Sequence, residues 1–187
     1  MRYQILISRS PGWKGEPIVA DISTSIDSLR LAESVWKLDS LDGLPTLEFA
    51  INTTKSLPDF ISSGVFDLFS DRFIQILKNS GVLFESFPIT LRTKKATIHG
   101  YQLFHLLQIR PIVDIEKSKI YGRENIEKIT LLDLEEVPEF TMIRDNFLRS
   151  NVFVRDDLVK QIHRYNISGC GWLDTEEYSF HLRTKRW

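Results

Sequence analysis

Cysteine, long apolar runs and an excess of charge of one sign are all missing from this sequence. Cys170 is the only cysteine among 187 residues, which excludes an internal disulfide and any zinc site built from several cysteines. No apolar run approaches the ~20 residues that a helix needs to cross a bilayer, so we expect no membrane span. Lys and Arg number 24 against 25 Asp and Glu, a balance that argues against a general nucleic-acid binder.

The signature motifs of common enzyme classes are missing as well. The sequence has no glycine-rich phosphate loop, no Gly-x-Ser-x-Gly nucleophile elbow and no His-x-x-x-His zinc spacing. His99 and His105 have an even spacing, which on a strand places both on one face and makes a metal pair conceivable. The alternative is two unrelated histidines that flank an apolar run. We expect neither a metal nor a cofactor.

The apolar content and the order of the segments predict one α+β unit. Hydrophobic residues make up 42% of the chain, which is enough for a sizeable core. The strands are not regularly separated by crossover helices, which favours a mixed, largely antiparallel sheet with two short amphipathic helices. Residues 1–45 are interpreted as an N-terminal strand and an irregular segment packed on the main domain. Residues 46–187 are interpreted as the α+β domain, and the whole is expected to be one compact unit.

The first amphipathic helix has clear start and stop signals. Ser70 and Asp71 offer an N-cap, and Gly81 stands where the helix is expected to end. Short apolar stretches precede and follow it. Its apolar stripe consists of Phe73, Ile74, Ile76 and Leu77.

The second helix repeats this pattern near the end of the sequence. Asp156 is the expected cap, and Gly169 with Gly171 is expected to close the helix. In an alignment without gaps, Asp71 falls on Asp156. Two interpretations stay open: a strand–helix–strand unit used twice, or two amphipathic helices that resemble each other. The stripe consists of Leu158, Val159 and Ile162.

Other segments are predicted from their alternation or their apolar content. Residues 3–7 are expected to form an edge or first strand. Residues 46–51, 101–109 and 126–132 are predicted as strands, and residues 25–36 as a short helix.

Two places in the sequence carry side chains that are capable of catalysis or partner binding. Acidic residues cluster at the end of one predicted strand, at Asp133, Glu135, Glu136 and Glu139. Such a cluster can do acid–base work or can steer a basic partner, although a solvated turn has the same composition. Cys170 lies between two glycines and seven residues after His163, so a nucleophilic thiol is an alternative to a small buried residue.

The order of several motifs resembles a bacterial family. Residues 57–60 followed by 69–73 look like its first signature, and residues 101–118 look like its central one. Residues 129–138, and then the strand at 152–154 with a helix that ends in a Gly169 turn, look like its last. Together they are similar to the Imm11 immunity-protein family, the DUF1629 domain, over residues 45–175. Arg155-Asp156 departs from the serine cap expected before the second helix.

The resemblance implies an immunity protein of bacterial polymorphic toxin systems. Such a protein is not an enzyme; it binds a cognate toxin domain in the cytoplasm and blocks it by protein–protein occlusion. Neither nucleic acid nor membrane is an implied partner. The hypothetical partner-binding residues are Asp133, Glu135, Glu136, Glu139 and Trp172, because acidic groups steer a basic toxin and tryptophans anchor interfaces.

Two rival functions remain. One is a small enzyme that uses Cys170 and His163. The other is an adaptor module of a secretion system, which binds a partner that is not a toxin.

Overall fold

A computed structural model describes residues 2–9, 18, 20–25, 27–37, 41, 43–51, 53, 56–63, 66–120, 126–133 and 140–175. Within these residues the α+β class is confirmed. The helices are α1 (Ser28–Lys37), α2 (Asp71–Asn79) and α3 (Asp156–Arg164). The strands are β1 (Tyr3–Ser8), β2 (Ala20–Ile22), β3 (Leu47–Ile51), β4 (Phe60–Ser62), β5 (Asp67–Ser70), β6 (Phe84–Arg92), β7 (Thr97–Leu106), β8 (Ile109–Arg110), β9 (Lys119–Ile120), β10 (Ile126–Lys128), β11 (Met142–Asp145), β12 (Val152–Arg155) and β13 (Cys170–Asp174).

The larger sheet has six strands in the order β2-β3-β6-β7-β5-β4. Its pairs are antiparallel except for β3 with β6, which run parallel. The long hairpin of β6 and β7 forms its centre and closes through a turn in which the Thr93 N–H donates to the Ala96 carbonyl. The register of this pair shifts between Ile89 and Leu91, opposite the positive φ of Gly100.

The second sheet has five strands in the order β13-β1-β12-β11-β8. β1 is an interior strand, since Gln4 lies opposite Val154 on one side and Asp174 on the other. The first residues of the chain therefore pair with its last described strands. β9 and β10 form a separate two-stranded sheet.

Helices α2 and α3 have equivalent places in the two sheets. α2 connects β5 to β6, and both of these strands pair antiparallel with β7 between them. α3 connects β12 to β13, and both pair antiparallel with β1 between them. Each helix thus crosses over one central strand, as in a split β-α-β unit.

Both ends of α2 follow the sequence prediction, whereas both ends of α3 differ from it. Ser70 caps α2, because its Oγ accepts from the Phe73 N–H at 3.2 Å, and Gly81 follows the C-cap with φ 69°. The Asp156 cap was a wrong prediction: Arg155 is the N-cap residue and makes no capping bond. Asp156 Oδ1 accepts instead from Gln4 Nε2 of β1.

The end of α3 also differs from the expectation. The helix ends at Arg164 with Tyr165 as its C-cap, and Asn166, with φ 51°, is the left-handed residue that follows the cap. Gly169, at φ 85°, lies three residues further on. Asparagine adopts this conformation more easily than most residues, because its short amide can bond to the local backbone. Gly169 forms the next turn, just before β13.

The two amphipathic helices share one core, which we call the helix cluster. It joins the stripes of α2 and α3 to buried residues of both main sheets, and the predicted stripes are confirmed. Phe69 lies inside it, with its ring centroid 4.4 Å from that of Phe73 and 4.5 Å from that of Phe104. Each buried side chain of this size contributes about 1.5–3 kcal/mol. The cluster is built from Leu6, Phe60, Phe69, Phe73, Ile74, Ile76, Leu77, Val82, Phe104, Leu106, Met142, Val152, Val154, Leu158, Val159, Ile162 and Ile167.

A third helix, α1, covers a second apolar cluster on the larger sheet. Leu31, Ala32 and Val35 lie on one face at helical spacing, and they pack into the cluster that contains Phe49 and Leu103. The helix predicted at 25–36 is observed as α1, with the bounds Ser28–Lys37. None of the described helices has the length and apolarity to cross a bilayer.

Candidate functional site

A groove of about 350 Å³ separates the exposed faces of α2 and α3. The helices run in opposite directions, since Arg72 at the start of α2 lies beside Asn166, while Ser80 at its end lies beside Gln161. The groove is lined by Arg72, Gln75, Ile76, Asn79, Gln161 and Tyr165.

Hydrogen bonds tie the two walls of this groove together near its ends. Arg72 Nη2 donates to the Asn166 carbonyl at 3.0 Å, and Ser80 Oγ donates to Gln161 Oε1 at 2.9 Å. Ile76 is 8% exposed and belongs to the helix cluster. Because the buried stripes anchor both helices, the groove between them is a fixed surface feature.

The amide groups of the groove are only partly used within the protein. Gln75 Nε2 donates to Asn79 Oδ1 at 3.0 Å, and Gln161 Oε1 accepts from Ser80. The Nδ2 group of Asn79 and the Nε2 group of Gln161 remain as donors toward the groove. Tyr165 is 57% exposed and adds an aromatic ring with a hydroxyl.

Cations dominate the exposed faces of the two helices. Lys78, Lys160 and Arg164 are exposed and form no ion pair with any described residue. The exposed anions of these helices are engaged: Asp71 accepts from Gln102, and Asp157 pairs with Arg155. The exposed faces of the two helices therefore carry a local excess of positive charge, although the formal net charge of the whole chain is −1.

Asp59 fixes one end of the groove. Its carboxylate accepts from Arg72 Nη2 at 2.8 Å, from Ser70 Oγ at 2.7 Å and from the Ser168 N–H at 2.8 Å. Burial by itself raises the pKa of Asp59, but these hydrogen bonds outweigh burial and lower the pKa below its ordinary value. The carboxylate thus joins the start of α2 to the turn that follows α3.

Of the acidic residues predicted from the sequence, the structure describes only Asp133, which does not line this groove. Asp133 is exposed and lies near Lys117, in the segment after the bridge between Val113 and Leu131. Glu135, Glu136 and Glu139 lie outside the described residues.

Trp172, the remaining predicted partner-binding residue, packs mainly inward. It is partly buried against the helix cluster, and its ring centroid is 6.0 Å from that of His163. Its Nε1 is buried and has no hydrogen-bond partner among the described residues. Its ring contributes to the support of α3.

Cys170 lies in surroundings that keep a thiol protonated. It is partly buried against the helix cluster. Burial raises its pKa, and the carboxylates of Asp59 and Asp67 raise it further. A nucleophilic cysteine needs the opposite, a nearby positive charge or a base.

His99 and His105 do not form a metal pair. His99 is exposed, whereas His105 is 0% exposed. The bulge at Gly100 breaks the alternation of β7 between the two histidines, so even spacing does not place them on one face. Among the described residues no group of three or more His, Cys, Asp or Glu could hold a metal.

His105 belongs to a buried polar group that the sequence does not reveal. Its Nδ1 lies 3.4 Å from Glu85 Oε2 on the neighbouring strand, and Arg144 contacts Asp67 Oδ2 at 3.1 Å. Burial lowers the pKa of His105, Glu85 opposes this, and Arg144 adds to the lowering. The imidazole is thus held neutral inside the protein.

The chain matches no family model and has no significant match among the curated proteins.

The sequence did contain a signal for one wall of the groove. Arg72, Gln75 and Asn79 recur at the spacing that places polar residues on one helix face. That spacing alone indicates a solvated face. Only the position of α3, which depends on the whole fold, makes it the wall of a groove.

Proposed function

We propose that this protein is an immunity protein that binds a cognate bacterial toxin domain in the cytoplasm and neutralises it by occlusion. The observation that carries the proposal is the groove between α2 and α3. It presents an arginine, a tyrosine and three amides on helices whose other faces are buried in one core. Arginine and tyrosine are among the residues that most often anchor protein interfaces.

A rigid surface of this kind suits inhibition by occlusion. A specific interface buries ~1,600 Å² in total, far more than one groove provides, so the neighbouring helix faces and turns would belong to it. Binding with little rearrangement avoids an ordering cost. The resemblance of residues 45–175 to the Imm11 family supports the same function.

The acidic residues provide a second contribution to binding in this proposal. Asp133, Glu135, Glu136 and Glu139 would attract a basic toxin and speed its association, with Trp172 supporting the fold beneath α3. Reversing charge in Glu135→Lys with Glu136→Lys is expected to slow association at low salt. The matched control reverses two exposed acids elsewhere, Asp21→Lys with Glu33→Lys. An equal effect of both variants would reject local steering.

The fold also supports a repeated unit within this proposal. The β5-α2-β6 and β12-α3-β13 segments each flank one antiparallel strand and pack their helices into the same cluster. We propose that they are two copies of one strand–helix–strand unit, whose helices together form the walls of the binding groove.

The proposal is tested by identifying a partner and then measuring protection. The tagged protein is recovered from its native bacterium, and the bound chain is identified by mass spectrometry. The C-terminal domain of that chain is then expressed in a host with and without this protein. Growth arrest that this protein relieves supports immunity. A stable partner without toxicity favours the adaptor function, and arrest that this protein does not relieve rejects immunity.

A further inference from the structure

The polar groups that the groove leaves unused are mainly hydrogen-bond donors. Asn79 Nδ2 and Gln161 Nε2 donate to no described acceptor, while the oxygens of these amides lie in contact with Gln75 Nε2 and Ser80 Oγ. Gln75 Oε1 is the exception, an acceptor with no described donor. Arg72 uses Nε and Nη2 for Asp59 and Asn166, which leaves Nη1. A ligand that is complementary to these donors therefore supplies hydrogen-bond acceptors.

The exposed cations of α2 and α3 favour a ligand of the same kind, one that offers negatively charged hydrogen-bond acceptors. Lys160 and Arg164 lie on the exposed side of α3, and Lys78 lies on that of α2. None of them pairs with a described carboxylate, so their field extends into solvent. Carboxylates satisfy donors and cations together, and Arg binds them with directional hydrogen bonds.

We infer that the groove between α2 and α3 binds an acidic polypeptide segment of the partner, with side-chain carboxylates against Arg72, Asn79 and Gln161, which line it, and with Lys160 and Arg164 on the exposed side of α3 adding positive charge. This inference rests on the proposed function and specifies the chemistry that the toxin domain presents to the groove. Ile76 and Tyr165 provide the apolar and aromatic surface against which an aliphatic side chain of the same segment packs. That combination favours a peptide over a nucleic acid, whose binding sites carry a larger basic excess.

Defined probes test the inference without the natural partner. The full chain is titrated with a short fluorescent peptide of alternating Glu and Leu, with the matching peptide of Lys and Leu, and with a single-stranded oligonucleotide. Backbone amide NMR spectra map the site. We expect the Glu–Leu peptide alone to bind, to shift the signals of residues 72–79 and 161–166, and to weaken as salt is added.

Two variants and a matched control locate the binding charges. Lys160→Glu with Arg164→Glu is expected to weaken Glu–Leu peptide binding at low salt by about tenfold. The control, Lys94→Glu with Lys95→Glu, makes the same change in net charge at exposed residues of the β6–β7 turn and is expected to bind normally. Tyr165→Ala removes the exposed ring without changing charge, and thermal unfolding verifies that each variant folds.

Several outcomes would overturn the inference. The first two are that the Glu–Leu peptide does not bind, or that its binding maps to another surface. The others are that the Lys160→Glu, Arg164→Glu variant and the Lys94→Glu, Lys95→Glu control lose peptide affinity equally, or that the protein prefers the oligonucleotide. Failure of the inference and failure of the proposed function are separated by the growth assay with the captured toxin domain. If wild type and the Lys160→Glu, Arg164→Glu variant protect equally, the groove is not the binding site but immunity stands. If wild type does not protect, immunity itself is rejected.

Discussion

Asp59 and Ser168 bind each other through three hydrogen bonds although 109 positions separate them in the chain. The Ser168 N–H and Oγ donate to Asp59 Oδ2 at 2.8 and 2.9 Å, and the Asp59 N–H donates to Ser168 Oγ at 3.1 Å. Arg72 pairs with the same carboxylate. Both strand–helix–strand segments are therefore connected at one partly buried anion, beside the proposed binding groove.

Replacing this anion is expected to destabilise the fold. Asp59→Asn keeps the size of the side chain but removes the charge that Arg72 and Ser168 bind, and hydrogen bonds to charged groups are worth about 1.5–3 kcal/mol each. We expect the free energy of unfolding in urea to fall by about 2 kcal/mol at neutral pH. The matched control is Asp21→Asn, at an exposed aspartate, and it is expected to change little.

The difference in unfolding free energy between wild type and Asp59→Asn should also depend on pH, which tests the role of the Asp59 charge independently. The folded pKa of Asp59 is below the ordinary value of 3.8, so its stabilisation is complete above that value and is lost as the pH falls through the folded pKa. The gap between wild type and Asp59→Asn should therefore narrow in acid. A gap that stays constant down to acid unfolding would contradict a role for the charge.

Gly169 is expected to tolerate no side chain. Its φ is 85°, and an added Cβ would overlap the Phe60 carbonyl oxygen and come within 2.8 Å of the Pro58 Cβ. We expect Gly169→Ala to lower the free energy of unfolding by about 3 kcal/mol or more, from backbone strain and steric overlap together. Gly81→Ala is the control, because Gly81 has φ 69° and open space, so that only the strain of about 1–2 kcal/mol applies. Equal losses in the two variants would show that the contact with Phe60 is unimportant.

Burial of His105 is expected to make stability depend on pH in the mildly acidic range. Its folded pKa lies below the ordinary 6.5, so the unfolded chain takes up a proton that the folded chain does not. Stability is therefore complete above 6.5 and falls as the pH decreases from there toward the folded pKa, by at most about 1.4 kcal/mol per pH unit.

A pair of variants on one strand isolates this effect. His105→Gln removes the titrating group and should flatten the decrease in unfolding free energy between about pH 7 and pH 5. His99→Gln alters an exposed histidine of the same strand and should leave the decrease intact. If His105→Gln retained the full slope, the slope would come from other groups.

The parts of the fold that the sequence predicts well are those encoded locally. Ser70 marks the start of α2 and Gly81 follows its end, because capping depends on neighbouring backbone groups. The apolar stripe from Phe73 to Leu77 identifies the buried face of the helix. The interior place of β1 could not be predicted, because Gln4 pairs with Val154 and Asp174 from the far end of the chain.

The candidate site shows the same division between local and long-range information. The polar face of α2 can be predicted from the sequence. The groove, however, depends on contacts between distant segments, the hydrogen bonds of Ser80 with Gln161 and of Arg72 with Asn166. The paired histidines show how local reasoning fails: the alternation that would join His99 to His105 holds only in a regular strand. Gly100 introduces a bulge between them.

Cys170 provides the sharpest test between a binding protein and an enzyme. Because burial and the carboxylates of Asp59 and Asp67 raise its pKa, the thiol should react with a neutral disulfide reagent at least about tenfold more slowly in the folded protein than in the denatured chain at neutral pH. The rate is measured by absorbance of the released thiolate, with the protein in denaturant as reference. Asp59→Asn removes one of the carboxylates that raise the pKa of Cys170, so it is expected to reduce this folded-state protection. A folded wild-type thiol that reacts faster than the denatured one would require a positive field at Cys170, and it would revive the enzyme that uses Cys170 and His163.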